Sequence, residues 1–470
     1  MIRLVMEKEL KDTISSTRFA ITFGACSLLF LLSFYVGGRH YQIATEQHEA
    51  GLRATARSME AITDWAEVRD HRIALPPSPV AALVMGVSND IGRTAAIQGR
   101  GEITPVDSRY GEDPIYAVFR FLDLDFLFQI ILSLFAIVFA YDAINGEKER
   151  GTLRLTFANP IARSTYILGK MLGSYLGLAI PLLIPLLLGC LTLILMGIPL
   201  DAGDWARVAL VVLTGYLYLG AFLAITIFVS SSTRRSSTSF LISLVVWILA
   251  VMIIPRAAVL VAGRAVEVPS VDEISSKKSR YAASLWEADR KRMAEFRAEQ
   301  GTPPDLVLQE FQKFMGKIME ERQQKLDQFA ARVNEERINR QHSQEAFALS
   351  LARLSPAATF SLASTAIAGT GLPLQQQYAL EAEAYQRSYA EFIRGKTGQN
   401  PGGGFVFRIS TDEETEKEPI NPAELPPFTF RGVGLGVAAG SFVTDLGILS
   451  LFAIVFFFGA FISFLRYDLR

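Results

Sequence analysis

The chain has 470 residues, half of them hydrophobic and 20% charged, with a formal net charge of −1 and a mean hydropathy of +0.28. It is too apolar for a soluble domain of this size and too charged to be membrane throughout, so several spans joined to soluble modules are expected. No Lys/Arg-rich stripe interleaved with aromatics is present, which argues against a nucleic-acid surface. The two cysteines, Cys26 and Cys190, both lie in apolar runs and the four histidines are scattered, which excludes a disulfide framework and a zinc site.

Residues 1–18 are charged and amphipathic and are expected to lie along the inner membrane surface. Six apolar runs are long enough to cross a hydrocarbon core of roughly 30 Å. They are Phe19–Val36, Phe126–Ala143, Tyr166–Met196, Val208–Val229, Phe240–Val261 and Val443–Leu465. The first lacks a small-x-small cleavage site and reads as an uncleaved span rather than a signal peptide. The third carries Pro181 and Pro185, which predict a tilt, kink or break. It also opens with Gly169, Gly173 and Gly177, whose four-residue spacing lets another helix approach closely.

The predicted boundaries are span 1 at 19–37, span 2 at 124–144, span 3 at 166–197, span 4 at 207–230, span 5 at 238–261 and span 6 at 443–466. The loop at 145–165 carries Lys148, Arg150, Arg154 and Arg163, and the 230–237 loop carries Arg234 and Arg235. The 198–206 connection has Asp201 and Asp204 and no basic residue. The excess of Lys and Arg on one set of short loops places both termini in the cytoplasm. Two large segments, 38–123 and 262–440, then lie outside.

The first of these reads as a helix-compatible stretch, then a Pro-rich break at Pro76–Pro79, a short apolar strand or helix and Gly-rich turns: a small mixed α/β segment. Within the second, residues 272–353 predict a helical hairpin jointed at Gly301–Pro304, with Asp305 as an N-cap. Leu308, Phe311, Met315 and Ile318 form an apolar stripe, continued irregularly by Phe329 and Val333. The longer arm would reach roughly 70 Å at 1.5 Å per residue. The stripe predicts either a partner-binding arm or a hairpin closed on itself. The acidic run at 412–418 reads as solvated surface.

The 145–165 segment lies between two spans, where charge must sit in water. Glu147 and Glu149 precede the apolar Leu153, Leu155 and Phe157, with Arg150, Arg154 and Arg163 interleaved. Acidic residues favour a helix start, and apolar residues beside charges suit an interface with a buried anchor and polar rim.

Other chemistry is not legible. Gly395-Lys396-Thr397 lacks the earlier glycine of a phosphate loop, since that position is Ala390. No metalloprotease, serine-hydrolase or paired-aspartate pattern appears, so the chain is expected to be no enzyme, with no cofactor or metal of its own. Near the outer membrane face, Arg256 is a candidate gate partner for Asp125 or Asp445, with snorkelling of Arg256 to the headgroups as the simpler account.

Taken together, Tyr141–Glu149, then Arg150-Gly151-Thr152-Leu153, Asn159-Pro160, Arg163 and Gly169-Lys170 resemble the type-2 permeases of ATP-binding-cassette transporters. Leu354-Ser355-Pro356-Ala357 and Ala368-Gly369-Thr370 resemble the branch with a large external insertion between the last two spans. The resemblance covers nearly the whole chain. It implies a mainly α, polytopic fold with six spans in a bacterial inner membrane. It also implies a coupling helix at 145–165 made by Glu147, Glu149, Arg150, Gly151, Thr152, Leu153, Arg154, Asn159, Pro160 and Arg163, docked on a separate cytoplasmic ATPase that binds ATP and magnesium. Two ATPase subunits and a second permease, identical or paralogous, complete the pathway. Glu7-Lys8-Glu9 is a second candidate ATPase contact. Export is the expected function. The alternatives are a mechanotransmission machine driving an envelope partner and a non-transporting scaffold.

Overall fold

A computed structural model describes residues 1–60, 62–68, 71–88, 91, 94–97, 104–106, 123–158, 160–296, 304–398 and 419–466. Asn159, the hairpin joint at 301–303, the acidic run at 412–418 and the last four residues lie outside them, as do the side chains of Asp305 and Leu308.

The chain is mainly α-helical. After α1 (Ile2–Ile14), α2 (Thr17–Glu60) carries span 1 and continues well beyond it. Span 2 begins as α3 (Leu124–Phe126), passes through a π-helical segment (Leu127–Leu132) and ends as α4 (Ser133–Ala140). Two short helices follow, α5 (Asn145–Glu149) and α6 (Thr152–Phe157). Span 3 is α7 (Arg163–Leu195), which runs through both prolines as one helix, and span 4 is α8 (Ala202–Ser232). Asp201 and Asp204 start α8 with a reciprocal capping box, satisfying first-turn amides. Span 5 is α9 (Ser236–Trp247), a second π-helical segment (Ile248–Ile253) and α10 (Ile254–Ala265).

The buried face of α8 forms the centre of the main core, with Val211, Tyr218, Leu219, Phe222 and Leu223 at 1% exposure or less. Span 2, α7 and α15 (Leu435–Leu465, span 6) pack around it, as does α13 (Pro356–Ala368). Leucines and isoleucines on the outer faces of α7 and α15 remain exposed, as lipid requires.

Among the described residues, seven stretches are long and apolar enough to cross a membrane, against the six expected. The seventh, Pro356–Thr397, is two helices. α13 ends at Gly369, whose φ of +72° breaks the rod, and α14 (Leu372–Thr397) follows. With 13 residues, α13 rises only about 20 Å. It is buried on nearly every side inside the bundle.

The two segments expected outside the membrane do not fold separately. Strands β1 (His71–Ala74), β2 (Thr94–Ile97) and β3 (Thr104–Val106) form one antiparallel sheet in that order, with His71 opposite Ile97 and Thr94 opposite Val106. Ile73, Ala95 and Ile97 share a second core with Tyr378, Tyr385, Tyr389 and Ile393 of α14. Period-2 alternation on β1 and β2 and the helical spacing of the α14 residues supply the two apolar faces. Within this core, the His71 Nε2 is 2.7 Å from the Tyr385 hydroxyl, which donates to Pro426 O at 3.0 Å, and the imidazole stacks on Tyr389.

Residues 258–350 form a second compact unit. Its antiparallel arms are α11 (Val271–Ala294) and α12 (Pro304–Ala352). Tyr281 stacks on Phe329 at 4.1 Å, Phe296 meets Phe311 and Phe314, and Arg292 pairs with Glu321 at 3.0 Å. Ile318 is fully buried and Val333 nearly so, so the other arm covers much of the stripe.

Candidate functional site

The segment from Asn145 to Tyr166 gathers the ends of the helices around it. Lys148 Nζ donates to Ser231 O at 2.8 Å and to Thr233 O at 3.4 Å, at the C-terminus of α8. The Glu149 carboxylate accepts from Ser236 N at 2.9 Å and Ser236 Oγ at 2.8 Å, at the N-terminus of α9. Arg163 donates to Leu465 O at 2.6 Å, at the C-terminus of α15. Each charge has the sign that the helix end favours: cations on terminal carbonyls, an anion on first-turn amides. The Asn145 side chain donates to Thr233 Oγ1 at 2.7 Å, and its backbone N–H donates to Ser230 Oγ at 3.3 Å.

The underside of the segment is anchored by a buried charge network. Lys170 Nζ lies 2.6 Å from Glu9 Oε2 and 2.9 Å from Glu147 Oε1. Tyr166 donates to Glu147 Oε2 at 2.7 Å, Lys8 reaches Glu147 at 3.2 Å, and Ser174 donates to Glu9 at 3.3 Å. Glu9, Glu147 and Lys170 are all below 9% exposure, so the charges are paired inside protein rather than solvated. Leu153 is buried and Tyr166 stacks on Phe464.

α1 reaches this network because α7 presents glycine to it. A Cβ at Gly169 would lie 2.7 Å from Val5 Cβ, and one at Gly173 would lie 2.6 Å from Glu9 Cβ. Gly177 faces Thr13 at 3.4 Å. The partner of the glycine stripe is therefore α1, packed parallel to the first turns of α7.

This geometry corrects two expectations. Glu147 and Glu9 do not present their carboxylates to a partner, because Lys170 holds both within the fold. What faces outward is Glu149, Arg150, Gly151, Arg154, Leu155 and Pro160, with Leu155 70% exposed. Thr152 is half-buried and lies 3.4 Å from Glu147 O. Gly151 joins α5 to α6 at φ +73°, a left-handed conformation that favours glycine.

The gate pair is not formed either. Asp445 is bound by Arg353 at 2.6 Å, and Asp125 accepts from Ser361 at 2.7 Å and from Ser364, while Arg256 is exposed. The reason is the insertion of α13, which brings its own hydroxyls to Asp125. Sequence reasoning assigned no role to Lys170, Tyr166 or Ser236. Lys170 carried a readable signal, a charge five residues into an apolar run that a membrane helix does not retain without a partner.

The bundle of long apolar helices defines a multi-pass membrane protein, with two short helices between spans 2 and 3 bonded to the ends of α8, α9 and α15. The model for "ABC-2 family transporter protein" matches residues 3–469, and the chain belongs to that family. It is thus a permease-type subunit whose family works with an ABC ATPase subunit. No curated protein matches the chain.

Proposed function

We propose that the chain is an ABC exporter's membrane-spanning subunit and that α5 and α6 are where the ATPase pushes. Two copies, or this chain and a paralogue, pair with two ATPase subunits carrying ATP and magnesium, in a bacterial inner membrane with both termini cytoplasmic. The observation that carries this reading is the bonding of Lys148, Glu149 and Arg163 to the ends of α8, α9 and α15. A force on the α5–α6 segment reaches α8 and α9 through Lys148 and Glu149 of α5 and α15 through Arg163 at the start of α7, and reaches α7 and α1 through Glu147, Lys170 and Glu9. Leu155, flanked by Arg154 and Arg150, supplies an apolar anchor with a charged rim.

A second reading rests on the hairpin of residues 258–350, which makes its own core and exposes Trp286, Met319 and Ile338. In that reading the hairpin works on an envelope partner and no cargo crosses.

The test of the docking surface is Leu155→Asp with Arg154→Glu. Tagged chain purified from cells should carry a nucleotide-hydrolysing subunit, identified by mass spectrometry. The double variant should lose at least tenfold of it while keeping its own elution volume and melting temperature. Wild-type recovery of the ATPase would show that α6 is not the docking surface.

A further inference from the structure

Most buried hydroxyls of the spans are satisfied within their own helix. Ser133 donates to Gln129 O at 2.6 Å, Thr214 to Leu210 O and Thr226 to Phe222 O. Ser239 and Ser243 of α9 do not. Their Oγ atoms are buried, at residue exposures of 0% and 2%, and have no hydrogen-bond partner among the described residues. They are also the only fully buried positions of α9, whose Leu241, Ile242 and Val245 are exposed as lipid-facing residues are. This part of span 5 buries only serines, an interface unlike the leucine-packed contacts of α8.

A third such atom belongs to a side chain that reaches the start of α9. Asn145 is 0% exposed and its Oδ1 has no partner among the described residues, although its Nδ2 reaches Thr233 Oγ1 and, at 3.4 Å, Arg235 O. Arg235 O also accepts from Ser239 N at 3.0 Å, which sets the Asn145 amide against the first turn of α9. Ser239, Ser243 and Trp247 follow at four-residue intervals along one face. At the far end Trp247 Nε1 donates to Ser133 Oγ at 2.7 Å, so there spans 2 and 5 are directly bonded, and just beyond it Ser355 at the start of α13 donates to Ala250 O. At the near end, Arg234, Arg235 and Glu149 are exposed.

We propose that the Asn145–Ser243 part of the interface between spans 2 and 5 is a hydrated seam. Water enters at the α5 end, bridges Asn145 Oδ1, Ser239 Oγ and Ser243 Oγ, and stops at the Trp247–Ser133 bond. Buried polar atoms without protein partners are the places where structural water binds, provided two or more polar groups converge. Hydroxyls bonded through water exchange partners without desolvation, so span 5 can shift against span 2 at this end while the Trp247 end holds. The seam rests on the sidedness given under the proposed function only for the face from which water enters.

Thiol accessibility tests it. In the full chain with Cys26 and Cys190 replaced by alanine, Ser239→Cys and Ser243→Cys are near-isosteric and each reports separately. Controls are Leu241→Cys on the lipid face, Ala250→Cys beyond the closed end and Arg235→Cys at the open end. The probe is a small, impermeant, cationic methanethiosulfonate, added to one face of sealed vesicles at a time. Cysteines at 239 and 243 should react at least tenfold faster than those at 241 and 250, and from the face at which position 235 reacts. Rates at 239 and 243 no greater than at 241 would show a dry interface and overturn the proposal. Fast reaction at 235, 239 and 243 from the outer face would support the seam and refute the proposed sidedness.

Discussion

Replacing Lys170 by methionine removes the cation from between two buried carboxylates while keeping most of the side chain's volume. Glu9 is left with one hydroxyl donor, Ser174 at 3.3 Å, and Glu147 keeps Tyr166 and the half-exposed Lys8. Breaking a buried ion pair from one side costs about 3–5 kcal/mol, because the abandoned charge stays desolvated. Here the cheapest relaxation is for α1 to leave α7 and carry Glu9 into water. Amides of residues 5–14 should then exchange roughly 100- to 5,000-fold faster in Lys170→Met than in the parent, by the same free energy. Hydrogen-exchange mass spectrometry in nanodiscs reads this directly. The triple variant with Glu9→Gln and Glu147→Gln carries no stranded charge and should recover most of the protection. Gly173→Val provides an independent route, since even its Cβ would meet Glu9 Cβ at 2.6 Å and Met6 O at 2.9 Å. It should release the same amides with all charges intact. If Lys170→Met leaves exchange in α1 unchanged, the network does not hold α1 and the proposed transmission through Lys170 fails.

The remaining predictions concern the other buried charges. Burial pushes the His71 imidazole down to about 4 from 6.5, so the folded chain refuses a proton that the unfolded chain accepts between those pH values. Stability should therefore fall as the pH drops through that window, by up to about 3 kcal/mol, and level off below it. Melting curves should show this slope diminished in His71→Phe, and an unchanged slope would refute the assignment. Arg353→Met strands Asp445, which is 1% exposed, and should lower stability by about 3 kcal/mol. Adding Asp445→Asn should restore most of the loss in the same melting assay, and no recovery would mean that the pair is incidental.

The composition and apolar runs determined that this is a multi-pass, mainly helical membrane protein, because the bilayer demands about 20 apolar residues per span whatever the neighbours are. The charged stretch between spans 2 and 3 was equally legible, since charge between two spans must face water or a partner. The glycine spacing on α7 announced a close helix contact but could not say which helix fills it. Only the tertiary structure placed α1 there, because Val5, Glu9 and Thr13 match the glycines in register, and register is a property of two helices together. The same holds for Glu147 and Glu149, which look alike in sequence. One is turned inward to Lys170 and the other outward to the end of α9, a difference of two residues on a short helix. Asp125, Asp445 and Arg256 looked like one cluster because all lie near the same ends of spans. Tertiary structure separated them, since the hydroxyls of α13 and the guanidinium of Arg353 are nearer partners than Arg256. The union of β1–β3 with α14 was likewise beyond the sequence. Residues as far apart in sequence as His71 and Tyr385, 314 positions, form that core, and nothing local in either segment encodes the other.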